Sequence, residues 1–157
     1  MSLRYGLPRP TVPAMHTEQQ THTLPEWPTR TIAVLATVNG APHAIPVSAP
    51  VRAGDRRIRL SLHRERGSLA RLREDPRVAL TLLAEGDVAF TARGRAHVVE
   101  EPMAVAPDYA AVAIDVEHVD DHRQAAFVVE SGAGRRWVDA DEQRALGARV
   151  AALCGRD

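Results

Sequence analysis

The chain of 157 residues contains no lysine, and all 20 of its basic residues are arginine. That absence excludes Schiff-base catalysis, pyridoxal phosphate enzymes anchored through lysine, and the lysine-dependent phosphate loop of nucleotide hydrolases. Cysteine is almost missing as well. Cys154 stands alone, so no internal disulfide can form, and a cytoplasmic location is the plain expectation. No apolar run approaches the roughly 20 residues needed to cross a bilayer, and the polar, proline-rich start is unlike a secretory leader. The formal net charge is zero, which argues against a broad basic surface for nucleic acid. Aromatic residues make up 4% of the chain, too few for a platform on which unpaired bases stack. No Gly-x-Gly-x-x-Gly follows a strand, so the dinucleotide fingerprint is missing too.

What the chain does have is a concentration of arginine at one structural junction. Ile58, Leu60 and Leu62 alternate with Arg59, Ser61 and His63, which predicts a strand with one buried face. Arg64, Arg66, Gly67 and Ser68 then lead into a short helix carrying Leu69, Ala70 and Arg71. Ser68 reads as its N-cap, and Asp75-Pro76 stops it. A helix start presents unpaired N–H groups and a partial positive charge. With guanidinium groups crowded around it, this is the outline of a site for a phosphorylated ligand.

Around this junction the pattern is mostly strand. Residues 1–25, with Pro8, Pro10, Pro13 and Pro25, read as a flexible arm, and residues 26–157 as one domain. Thr31–Val38 is apolar throughout, as a strand buried on both sides would be. Asn39-Gly40 is a strong hairpin signal. The return strand spans 41–53 and puts Pro42, Pro46 and Pro50 on one face, so it belongs at an edge. Further strands are expected over Arg77–Ala84, Val88–Glu100, Tyr109–Val119 and Ala125–Glu130. Asp139-x-x-Glu142 opens a last helix with Leu146, Val150 and Leu153 on one face. Six or seven antiparallel strands, a short helix after the third and a C-terminal helix imply a small, mainly β barrel.

The order Ala33-Val-Leu-Ala-Thr-Val-Asn-Gly-Ala-Pro-His-Ala-Ile-Pro-Val47, then Ile58-Arg-Leu-Ser-Leu62, then Leu72-Arg-Glu-Asp-Pro-Arg-Val-Ala-Leu80 and Gly94-Arg-Ala96 resembles the pyridoxamine 5'-phosphate oxidase-like family. The resemblance covers about residues 30–100. It implies an antiparallel split β-barrel that forms a homodimer and binds FMN, or alternatively the deazaflavin coenzyme F-420, at the subunit interface. Carried onto this chain, it places Ile45, Pro46, Val47 and Ser48 along the flavin ring and Ser61, Leu62 and His63 at the ribityl chain. Arg64, Arg66, Ser68 and Arg71 would hold the phosphate. The implied activity is oxidoreduction of a small organic substrate, with a nicotinamide or deazaflavin electron donor. One departure stands out, because many members carry lysine or arginine at or next to the position of Ser68. Losing one charge-assisted contact costs about 1.5–3 kcal/mol, which Arg64, Arg66 or Arg71 must make good. Oxidation of pyridoxamine 5'-phosphate itself is not expected. Past residue 100 only Arg123, Arg135 and Arg136 could meet a second phosphate.

Other candidates read more blandly. His118 and His122, beside Asp120 and Asp121, sit four apart in a strand, where rise separates them by some ~13 Å, so no metal is expected. Trp27 and Trp137 read as packing residues, although Trp137 could cover a flavin edge. Spacing supports neither a Ser-His-Asp triad nor a pair of catalytic carboxylates, which suits a protein whose cofactor carries the chemistry. A non-catalytic flavin-binding barrel, a haem-binding barrel using His43, His63 or His122, and a barrel that has lost its cofactor all stay open at this stage.

Overall fold

Asn39-Gly40 makes the turn its composition predicts, Gly40 adopting a φ of +73° that a side-chain-bearing residue rarely takes. The hairpin it closes is the start of a sheet that holds most of the chain. The computed structural model describes residues 19–156. In chain order the elements are β1 (Gln19–Thr21), β2 (Ile32–Asn39), β3 (Ala41–Ser48), β4 (Val51–Arg52), β5 (Arg57–His63), α1 (Gly67–Glu74), β6 (Arg77–Ala84), β7 (Val88–Glu100), β8 (Tyr109–Asp121) and α2 (Ala140–Cys154).

The strands form one sheet in the order β3-β2-β6-β7-β8-β5-β4, with β1 beside β8, and each recorded pairing is antiparallel. The outermost strands β3 and β4 are separated in the chain by only Ala49 and Pro50. A sheet whose two edges are that close in sequence must curl until the edges approach one another. The result is a split barrel, as expected. Its inward faces supply Leu35, Ile58, Leu60, Leu80, Leu82, Phe90, Val112 and Ile114, each at most 2% exposed. Leu69 and Leu72 of α1 join the same core, each fully buried apolar side chain contributing about 1.5–3 kcal/mol.

Three sequence expectations are corrected. The return strand does not run unbroken over 41–53. Ala49 takes a φ of +51°, a left-handed conformation that costs a non-glycine residue about 1–2 kcal/mol. There the chain leaves one edge of the sheet for the other, while the Trp27 indole N–H donates to the Pro50 carbonyl at 2.9 Å. Nor is β2 buried on both sides. Ala33, Leu35 and Thr37 face the core, whereas Val34 and Val38 are exposed. Finally, Ala125–Glu130 is no strand and shows only an isolated bridge between Gln124 and Phe127. Of the expected N-terminal arm, residues 1–18 lie outside the described residues, and 19–21 pair as β1.

The segment after β8 instead lies irregularly along the sheet. Val129 exchanges two hydrogen bonds with Asp87, at 3.1 and 2.9 Å, and Arg135 donates to the Arg30 carbonyl at 2.9 Å. Gly132 sits so close to β6 that a Cβ there would lie 2.2 Å from the Leu83 carbonyl oxygen. Gly132→Ala should therefore undock this segment while sparing the barrel. Faster proteolysis between residues 122 and 139, with an unchanged barrel core by amide exchange, is the expected outcome; native protease resistance would contradict it.

Asp139 caps α2 as expected, accepting from the backbone N–H groups of Asp141 and Glu142. The helix lies on the outside of the sheet, where Leu153 packs with Val51, Met103 and Ala111 in a second cluster. Arg59 donates to the Leu153 carbonyl at 3.1 Å and also to that of Arg156, satisfying acceptors that a helix end leaves open. No helix among the described residues is long and apolar enough to cross a membrane.

Candidate functional site

The junction of β5 and α1 is where the residues singled out in the sequence gather. β5 ends at His63, and the Arg66 N–H turns back to the His63 carbonyl at 3.1 Å. Helix α1 then begins with Arg66, not Ser68, at its N-cap. Ser68 lies inside the first turn, only 1% exposed, so it is not the cap that its residue type suggested. No side chain caps α1 and its first turn holds no acidic residue, so the partial positive charge of its N–H groups is left uncompensated there.

The arginines around this helix end divide by their partners. Arg64 is held by the Glu101 carboxylate at 3.3 Å and the Pro107 carbonyl at 3.2 Å, and Arg73 pairs with the same Glu101. Arg71 points to the β2–β3 turn, reaching the carbonyls of Asn39 and Ala41 at 3.4 Å each. Arg66 is exposed, and among the described residues no hydrogen bond or ion pair engages its guanidinium. Of the four phosphate candidates, Arg66 alone is thus a cation without a partner, while Arg64 and Arg71 must release an existing contact before gripping a ligand. Glu65 is exposed in the same loop, and its N–H meets His63 Nδ1 at 3.3 Å.

Pairing geometry sorts the other predicted contacts by face. On β3, Pro46 and Ser48 are exposed and Ile45 is half-buried, whereas the Val47 side chain is in the core. On β5, Leu62 is likewise a core residue, so it can meet a ligand only through its backbone. Ser61 and His63 share the outer face with Arg59. Across the sheet His63 pairs with Tyr109, their rings meeting edge to face at 5.2 Å.

Of the histidines considered for haem, His122 Nε2 is bonded to Thr91 at 2.8 Å, and His43 keeps a buried Nδ1 without a partner. Trp137 carries the Arg135 guanidinium 5.6 Å from its ring centre. Concavities among the described residues lie elsewhere. One of about 490 Å³ sits between residues 23–26 and the β6–β7 turn, one of about 480 Å³ runs along residues 131–135, and one of about 270 Å³ is walled by Arg57, Arg59, His97 and Arg156.

Electrostatics sharpen the end of α1. Asp75 accepts from the Arg77 backbone and side chain, and these bonds bring its carboxyl down from an ordinary 3.8 to about 2. A carboxylate whose folded value is depressed stabilises the fold above its ordinary value and loses that contribution as pH falls through the folded one. For Asp75 the loss runs from 3.8 down to about 2. A carboxyl NMR titration should give a midpoint near the lower value, and one near 3.8 would show that Arg77 does not hold it.

The sequence reading missed one charged group beside this junction. Arg149 of α2 is only 7% exposed, with its guanidinium 3.9 Å from the Tyr109 ring centre. Its helical spacing did carry a signal, because Arg149 lies three residues after Leu146 and four before Leu153, on the buried face of α2.

The pyridoxamine 5'-phosphate oxidase family model matches residues 20–137, well over half of the chain. Among solved structures, a candidate pyridoxamine 5'-phosphate oxidase of Lactobacillus delbrueckii is similar at 18% identity and a TM-score of 0.52, over 63% of this chain and 94% of its own. HupZ of Group A Streptococcus is similar at 15% identity and a TM-score of 0.52, over 66% and 90%. A candidate pyridoxamine 5'-phosphate oxidase of Listeria innocua gives 16% and 0.51, over 60% and 90%. At such identities these likenesses concern the fold. No curated protein matches the chain.

Proposed function

Because this chain belongs to the pyridoxamine 5'-phosphate oxidase family, we propose that it is a flavin-dependent oxidoreductase of a small organic substrate. It would hold FMN, or alternatively the deazaflavin coenzyme F-420, at the interface of a homodimer. The observation that carries this reading is the uncapped start of α1 with the unpartnered Arg66 at its N-cap. A helix end with free N–H groups and an arginine fork is suited to a phosphate.

The residues present fit a phosphorylated flavin. Arg66 and the α1 N–H groups would hold the phosphate, with Arg71 and Arg64 close by in the same loop and helix. Ser61 and His63 would face the ribityl chain, and the uncharged Ile45–Ser48 stretch would lie along the ring. When bound, the flavin supplies the hydride or electron chemistry. The chain's own part is to position the ring, fix the phosphate and exclude water. A nicotinamide or a second deazaflavin would serve as electron donor.

Support for a second copy of this chain as partner comes from the outer face of the sheet. Val34, Val38 and Leu83 are 39–49% exposed there, and Phe127, Val128 and Val138 are more open still. Large apolar side chains left open in this number suit an interface.

Titration with FMN and with coenzyme F-420, followed by fluorescence, tests the reading. Saturable binding of one of them at about micromolar concentration, roughly 8 kcal/mol, by a species of twice the chain mass is expected. Binding of neither refutes it.

A further inference from the structure

Among the described residues, Arg149 is a buried cation with no anion. Its residue is 7% exposed, its Nε is fully buried without a hydrogen-bond partner, and no ion pair or hydrogen bond engages it among the described residues. The contact with Tyr109 at 3.9 Å satisfies the flat face of the guanidinium and leaves its edge, which carries all five N–H donors. An Nε–H buried without an acceptor is costly, and an anion arriving at the guanidinium edge relieves that cost.

The position of Arg149 puts it on the flank of the β5–α1 junction. Tyr109, beneath it, meets the ring of His63, and His63 is the residue from which the loop to α1 departs. Arg149 is therefore two ring contacts from the loop whose helix start lacks a cap, an acid and a basic residue at position 68. We infer that Arg149 binds a phosphate monoester, delivering from the C-terminal helix the cation that Ser68 does not provide. This inference rests on the flavin reading for the identity of the ligand, but the chemistry recognised is phosphate, whether carried by a flavin or free. It also assigns α2 a role in the site: the helix closes over the outer face of β5 and brings the arginine with it.

The test compares FMN, riboflavin and inorganic phosphate on the full chain, on Arg149→Met and on Arg149→Lys. Methionine keeps the packing on Tyr109 and removes the donors. FMN should bind about tenfold or more weakly to Arg149→Met, with riboflavin, which lacks the phosphate, bound as by the native chain. Arg149→Lys should fall between. Unchanged FMN affinity overturns the inference, and so does an equal loss for FMN and riboflavin, which would mean that Arg149 only seats α2.

If the native chain binds neither flavin, the proposed function fails and phosphate alone decides about Arg149. Phosphate should raise the melting temperature of the native chain and not of Arg149→Met, and an equal response of the two discards the site. Arg149→Gln carries the same comparisons if the methionine variant does not fold.

Discussion

Gly94→Ala is expected to cost about 3 kcal/mol or more, at the upper end of what overpacking does. Gly94 lies where the β7–β8 register shifts, between Arg93 and Gly94. A Cβ there would sit 2.0 Å from the Asp115 carbonyl oxygen, 2.9 Å from its carbon and 3.0 Å from the Val116 Cα. All three are backbone atoms of a strand paired on its other side with β5, so neither strand can yield without disturbing the middle of the sheet. For a chain of this size such a loss lowers the melting temperature by about 6–12 °C. Equilibrium unfolding in urea should show the lower midpoint with an unchanged slope. Gly147→Ala is the internal contrast, since nothing lies within 4 Å of the added atom and the residue is inside α2. There alanine should stabilise by about 0.5–1 kcal/mol. Equal effects at the two glycines would mean that the close approach of β7 and β8 is not as described.

The second large effect concerns binding. Arg66→Ala should weaken FMN by about one to two decades, the equivalent of one lost charge-assisted contact at 1.5–3 kcal/mol. The melting temperature should stay near native, because the side chain is exposed and makes no bond within the described residues. Arg64→Ala should behave in the opposite way. Its guanidinium ties the loop to Glu101 and Pro107, so its removal should loosen residues 101–108 and change the FMN dissociation constant less. Raising salt should weaken FMN binding to the native chain and have less effect on Arg66→Ala. If the alanine variant at 66 binds FMN as the native chain does, the phosphate is held elsewhere and the site as drawn is wrong.

These two residues also show what could be read before the fold was known. Signals that act over a few residues were legible. Asn39-Gly40 marked its hairpin, Asp139 marked the start of α2, and the alternation over 58–63 marked β5 and its buried face. What depended on distant neighbours was not. The break at Ala49 was hidden because alternation continues through it, and only the curling of the sheet requires the chain to change edges there. Ala125–Glu130 has strand-forming residues, but its backbone meets the β6–β7 turn at Asp87 rather than the edge of a strand. Gln19–Thr21 has no apolar pattern at all; it pairs through its backbone. For the site, the run of arginines was legible and their division was not, since Glu101 and the β2–β3 turn claim Arg64 and Arg71 from far along the chain. Arg149 was legible as a residue of the apolar face of α2, but what that face packs against, β5 and the Tyr109 ring, was not.

The prolines of β3 have a consequence for what the sheet can become. Pro42 lies opposite Val38 and Pro46 opposite Val34, positions four apart and so alike in which way their backbones point. Lacking N–H groups, both suit the side turned away from β2, which Ala44 and Ser48 share by alternation. Along that open margin donors survive at only every second outward position while every carbonyl is kept. An incoming strand would need the missing donors to zip into register, so this end resists polymerisation through its chemistry. The opposite end resists it through size, because β4 offers only Val51 and Arg52. The sheet is thus finite in both directions without closing, one margin guarded by its chemistry and the other by its length.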